Sequence, residues 1–280
     1  MKIRFVVMTI IIFTQLLFAQ TGKSKYQIDF NEIKGELTSK DLFKKDFGRY
    51  DGFEIDLFEG EAVNIIAYSG NFQPSLALVN QSGDIVKQSS RNDKGYANIV
   101  SVITAGGKFV LYVIGEEKAR GKYTLQTAIA EPDALTPENG ATLCQTLDFL
   151  IAHAKAYFFL LENPEVSRGP LVKLNEAQDA YIDEEEGSYN AIFYSGNQES
   201  ESEVIFNNIY EKTKECLGKE WLISNENWKM REDYREKSTT FTEKTVGSPR
   251  FVKIVLNDYT NSKEKSEVNY TVEVQINRKH

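Results

Sequence analysis

The sequence predicts two successive folding units: an all-β sandwich, then an α+β domain in which two helices cover one face of an antiparallel sheet. Three observations predict it. Between about residues 25 and 130, apolar and polar residues alternate over short runs broken by glycines. From about residue 143 the apolar period lengthens to that of a helix. Between the two regions, residues 131–141 hold Pro132, Pro137 and Gly140 and follow neither pattern, as a linker does. At 280 residues, 41% hydrophobic and 26% charged, the chain has the apolar content for two separate cores. Its 6 prolines and 18 glycines exclude a collagen-like or low-complexity polymer.

At the N-terminus, Lys2 and Arg4 precede an apolar run from Phe5 to Phe18, interrupted only by Thr9, Thr14 and Gln15. This is the pattern of a secretory signal peptide over residues 1–19, cut after the small residue Ala19. The run is short for a bilayer span, and a retained membrane anchor is the alternative. The expected mature chain has no transmembrane segment and is periplasmic or secreted. The leader carries two of the 33 basic residues and none of the 41 acidic ones, so its removal deepens a net charge that is already −8. A phosphate backbone would be repelled by that field, and no dense Lys/Arg block offsets it, which excludes nucleic acid as a partner.

In the first unit, Gly60, Gly70, Gly83, Gly95, Gly106 and Gly121 fall 10 to 15 residues apart. Each interval accommodates one strand of five to seven residues and a reversal at a residue tolerant of positive φ, and leaves no room for helices. Phe53, Ile55 and Leu57 share one side of a strand; so do Phe109, Leu111 and Val113, and Tyr123, Leu125, Thr127 and Ile129. A single sheet would leave that apolar face wet, so the strands are expected in two packed layers.

These residues also carry a family resemblance. Ile33 Lys34 Gly35 Glu36 Leu37, then Asp41, then Arg49 Tyr50 Asp51 leading into Phe53 Glu54 Ile55, resembles the opening of the bacterial pre-peptidase C-terminal domain. Glu59 Gly60 Glu61, Phe72 and Pro74 before Leu76 to Val79, Ser82 Gly83 Asp84, Ala105 Gly106 Gly107 before Phe109, and Gly121 Lys122 Tyr123 continue the match in order over about residues 25–130. The resemblance implies a jelly-roll-like sandwich that serves exported proteins as an accessory module, often beside a peptidase, with no catalysis of its own. Some relatives bind calcium through loop carboxylates. Here Asp41, Asp46, Asp51 and Asp93 are too dispersed to converge six or more oxygens, so no metal is assigned.

In the second unit, residues 142–280, no family is identified. Leu143, Leu147, Leu150, Ile151, Ala154, Phe158 and Leu161 recur at helical spacing up to Asn163 and Pro164. A helix so apolar around its circumference must be covered on several sides. Strands are expected at Ala180 to Ile182 and Asn190 to Ser195, about an acidic turn Asp183 to Glu186. A second helix follows from about Glu201 to Leu217, then strands near Thr239 to Lys244, Phe251 to Asn257 and Val268 to Ile276. In the last strand Val268, Tyr270, Val272, Val274 and Ile276 alternate with polar residues, so its other face is expected to be wet.

Cys144 starts the first helix and Cys216 ends the second. Antiparallel packing would join them in a disulfide, which export permits; two buried free thiols are the alternative. His153 sits beside Phe149, Ala156 and Leu160 on a helical wheel and is expected to pack rather than to act as a base; His280 ends the chain. No Gly-x-Ser-x-Gly, HExxH or CxxC pattern occurs, so no catalytic residue and no cofactor is assigned. Four consecutive acids before Gly187 are expected as a solvated hairpin tip. Trp221 and Trp228 flank Ser224 Asn225 Glu226 Asn227 in the connection after the second helix. They form either a contact surface or a plug at the edge of the core. The chain is therefore expected to be an exported, non-catalytic binding protein of the cell envelope, holding a protein or glycan partner. The alternatives are a carboxylate-dependent hydrolase of glycosidase type in the second unit and a structural envelope component.

Overall fold

The computed structural model describes residues 26–45, 47–89, 95–161, 172–183, 186–245, 249–263 and 267–278. The leader, Asp46, Asp93, Asn163, Pro164, Glu184, Glu185 and His280 lie outside these residues. The first nine strands are β1 (Ile28–Leu37), β2 (Leu42–Lys44), β3 (Gly48–Leu57), β4 (Ala62–Tyr68), β5 (Ser75–Asn80), β6 (Ile85–Gln88), β7 (Tyr96–Val102), β8 (Gly107–Gly115) and β9 (Gly121–Ala130). They form two antiparallel sheets, ordered β1-β9-β4-β7 and β2-β3-β8-β5-β6. Leu37, Leu57, Ile65, Leu76, Leu78, Leu111, Val113 and Leu125 meet between them as one core, the two-layer packing that the alternation demands. Gly60, Gly83, Gly95 and Gly121 hold positive φ. Gly106 does not; a Cβ there would lie 3.0 Å from the amide nitrogen of Glu59, so it serves close approach rather than reversal.

The second unit opens with α1 (Leu143–His153), capped reciprocally: Thr142 Oγ1 accepts from the Gln145 amide, and the Gln145 side chain accepts from the Thr142 amide. Then come β10 (Asp179–Asp183), β11 (Ser188–Gly196), α2 (Glu199–Leu217), β12 (Trp221–Met230), β13 (Arg235–Glu243), β14 (Arg250–Asp258) and β15 (Tyr270–Arg278). The six strands form one antiparallel sheet in the order β10-β11-β15-β14-β13-β12. Both helices lie on the side of Val252, Ile254, Leu256, Val272, Val274 and Ile276, which is fully buried.

Two expectations are corrected here. The first helix stops at His153 instead of running to Leu161: a 3-10 turn covers Ala154–Ala156, and Tyr157 and Phe158 take φ of 50° and 61°. The apolar spacing continues because Phe158 and Leu161 are fully buried in the turns that follow, so the burial is real and the helix is not. The polar face of β15 is not wet either. Thr271, Glu273 and Gln275 are half-buried; Glu273 stands between Ile192 and Val255, and Thr271 bonds both Glu273 and Asn257.

The two cores are also not independent. Ile28 and Phe30 on β1 pair with Ala130 and Ala128 on β9, on the sandwich's outer surface, and Ile28, Ala128 and Ala130 belong to the same buried cluster as Phe149 and Phe158. Asn64 Nδ2 donates to the Phe159 carbonyl at 3.0 Å. The Phe30 and Tyr157 rings meet edge to face at 5.3 Å, with the Arg278 guanidinium over both.

Candidate functional site

Cys144 and Cys216 are joined as a disulfide across a sequence separation of 72, clamping the start of α1 to the end of α2. That clamp fixes α2 over the sheet, and the chain leaving α2 becomes the edge strand β12. Trp221 and Trp228 therefore sit on a strand and not in a connection, which corrects the expectation from sequence. Ser224 to Asn227 are poor strand formers, and the pairing with β13 decides their conformation.

Register places the side chains. Ile223 opposes Phe241, a core residue, and Trp221 opposes Glu243 on the same side, so both turn toward the helices. Glu226 opposes Ser238 and Lys229 opposes Glu236, so Asn227 and Trp228 together stand against Lys237 as a bulge. Both indoles are half-buried and pack on the second core, with the Arg235 guanidinium 5.0 Å from the Trp228 ring. Beside them Leu222, Ile223 and Met230 are 58%, 41% and 65% exposed. Core plug and contact surface thus coexist on one strand. Asn225 is pinned by a hydrogen bond from Thr239 Oγ1 to its Oδ1 at 2.9 Å.

The opposite face of the same sheet carries a polar lattice. Glu273 lies between Ile192 on β11 and Val255 on β14, and Glu236 lies on β13 opposite Asn257. Burial pushes the Glu273 carboxyl up, although Thr271 and Gln275 donate to it and moderate the rise. At Glu236 burial again works against the charge, but the bonds from Arg231 at 2.5 Å and Lys253 at 2.9 Å outweigh it and hold the carboxyl low. Burial, followed by the charge of Glu273, pushes the Tyr181 phenol up to about 12. Beneath this face, Ser238 Oγ and Asn257 Oδ1 have no partner among the described residues. Sequence reasoning missed both glutamates; the only signal was the polar alternation of β15.

The remaining sequence candidates are dispersed. His153 is fully buried, and its Nε2 lies 2.7 Å from the Ala134 carbonyl. Asp51 Oδ2 accepts from the Tyr123 hydroxyl at 2.6 Å, while Asp41 takes the Thr38 amide. Asp183 Oδ1 accepts from the Glu186 amide at 3.1 Å, as a turn residue does. Among the described residues no group of three His, Cys, Asp or Glu side chains converges as a metal site.

No family model and no curated protein matches the sequence. Among solved structures, the chain is similar to the pre-peptidase C-terminal domain of a collagenase from Bacillus anthracis. The identity is 17% and the TM-score 0.28, over 35% of this chain and 87% of that one. It is also similar to PliG from Aeromonas hydrophila, a periplasmic inhibitor of g-type lysozyme, at 13% identity and a TM-score of 0.27, over 36% of this chain and 85% of that one. Each likeness is confined to about a third of the chain.

Proposed function

We propose that the protein is an exported binding module of the cell envelope that holds a protein partner along the β12 edge. One observation carries this reading: on the edge strand β12, Ile223 and Met230 stand exposed on the face that holds the two half-buried indoles, and Leu222 stands exposed on the other face. Aromatic residues anchored in a core and flanked by exposed aliphatic ones supply rigid contact area at low entropic cost. The disulfide suits the oxidising compartment that the leader implies. Among the described residues no helix is long and apolar enough to cross a membrane. A photo-crosslinking amino acid at Leu222 or Met230, in cells making the full chain, tests the reading against the same probe at Val100, which is 65% exposed on the sandwich. A discrete adduct from the β12 positions alone is expected; equal labelling at Val100, or none anywhere, refutes it.

The hydrolase reading has one observation in its favour. Glu273 and Glu236 share a face with their carboxyl affinities driven in opposite directions, which is how an acid and a base are told apart in glycosidase chemistry. Turnover of chromogenic glycosides by the wild type, abolished in Glu273→Gln, would establish it.

A further inference from the structure

We infer that the open side of β12 from Trp221 to Asn225 is a strand-addition site for an extended, basic polypeptide. The inference rests on the binding reading above and adds the main-chain register. At one end of the β12–β13 ladder the Lys244 amide donates to the Glu220 carbonyl at 3.2 Å; at the other the Arg231 amide donates to the Tyr234 carbonyl at 2.8 Å. Bonded and non-bonded pairs alternate in an antiparallel ladder. Leu222–Thr242, Ser224–Thr240 and Glu226–Ser238 therefore exchange bonds within the sheet. Trp221, Ile223 and Asn225 turn their N–H and C=O groups the other way, and among the described residues no strand lies on that side. These outward donors and acceptors recur every second residue. Only another extended backbone repeats that spacing. The bulge at Asn227 and Trp228 twists the strand away and ends the usable edge.

Charge selects the occupant. Glu226 is already paired with Lys229 at 2.8 Å, so the acid that bears on an added strand is Glu220, and with the chain's net charge of −8 it favours a strand carrying Lys or Arg. A second copy would bring the same net negative charge against this edge, which disfavours it as the occupant. The partner's apolar residues would meet Trp221 and Ile223, and its alternate residues the polar side.

The test is fluorescence anisotropy of the full chain with a labelled (Val-Lys)4 peptide. Saturable binding is expected. It should weaken roughly tenfold or more when the peptide is N-methylated along one edge, because each lost main-chain bond removes a net increment and several go together. Ile223→Pro should cause the same loss with an unchanged thermal melt, since the Ile223 amide makes no ladder bond. If that variant fails to fold, the methylated peptide on the wild-type chain still decides. Equal binding of a (Gly-Lys)4 or (Val-Glu)4 peptide, or full binding by the methylated peptide, overturns the proposal. So does a dimer in sedimentation that Ile223→Pro dissolves, which would make the occupant a second copy. Crosslinks at Leu222 that persist in Ile223→Pro would overturn strand addition and leave the binding reading standing.

Discussion

His153 makes the stability of the fold depend on pH in a way that a single substitution isolates. Its ring is fully buried, packs on Phe149 with centroids 4.5 Å apart, and sits 2.7 Å from the Ala134 carbonyl through Nε2. Nδ1 has no partner among the described residues. Burial lowers its pKa to about 4, against the opposing pull of the Ala134 bond, from 6.5 in a free chain. The folded state therefore holds the neutral ring, with Nε2–H donating to Ala134. Above pH 6.5 both states are neutral and the residue contributes no pH dependence. As pH falls from 6.5 toward 4 the unfolded chain takes up the proton alone, so stability drops, and below about 4 the loss levels off. At about 1.4 kcal/mol per pH unit of separation, the cost between pH 7.5 and 4.5 is about 2.5 kcal/mol. Carboxylates titrate in the same range, so the measurement is a difference. Guanidinium unfolding of the wild type and of His153→Gln, whose amide can still donate to Ala134, is followed at both pH values. The wild type should lose about 2.5 kcal/mol more than the variant. Equal losses would show that the imidazole takes its proton without penalty and would refute its assignment as a buried neutral donor.

Removing the disulfide with Cys144→Ala and Cys216→Ala together should lower stability in guanidinium unfolding by about 4 kcal/mol, the chain entropy restored by opening a loop with a separation of 72. Arg250→Ala should cost about 3 kcal/mol or more in the same assay. It strands Glu243, only 14% exposed, without its partner, and releases the bond at 3.2 Å to the Ile151 carbonyl that ties β14 to α1. Glu273→Gln should act the other way. Burial raises this carboxyl above its unfolded value, so the residue's contribution is full at acid pH and lost as pH rises through the folded value. The variant should match the wild type in acid and be the more stable protein at pH 7; a variant less stable at pH 7 would refute the account.

The all-strand, two-layer character of the sandwich was legible because burial there alternates with period two and most reversals are marked by glycine. The disulfide was legible because two cysteines fell at opposite ends of two helical periods. What escaped has physical reasons. The end of α1 was hidden because Phe158 and Leu161 keep helical spacing while buried in non-helical turns, and spacing reports burial, not dihedral angles. β12 was hidden because an edge strand needs one partner only, so Ser224 to Asn227 follow β13 with no β-propensity of their own. The Glu273–Glu236 face was hidden because it is assembled from strands far apart in sequence, and nothing local distinguishes those two acids from the other 39 of the 41.

The seam between the units follows from apolar residues on both faces of one strand. Thr127 and Ile129 point into the sandwich while Ala128 and Ala130 point out, and the outward pair is as buried as the inward one. A sandwich that ended at its own core would leave Ile28, Phe30, Ala128 and Ala130 wet. Their burial against the turns after α1 makes each unit contribute to the other's stability. Calorimetry of the full chain should therefore show one unfolding transition. Ala128→Asp places a short carboxylate at a position 1% exposed, from which it cannot reach water, and an unpaired buried charge costs several kcal/mol. The variant should split the transition in two, with the sandwich and the helix-bearing unit melting separately. A single transition at an unchanged temperature would show that the seam is a contact without energetic weight, and that the two cores are thermodynamically separate after all.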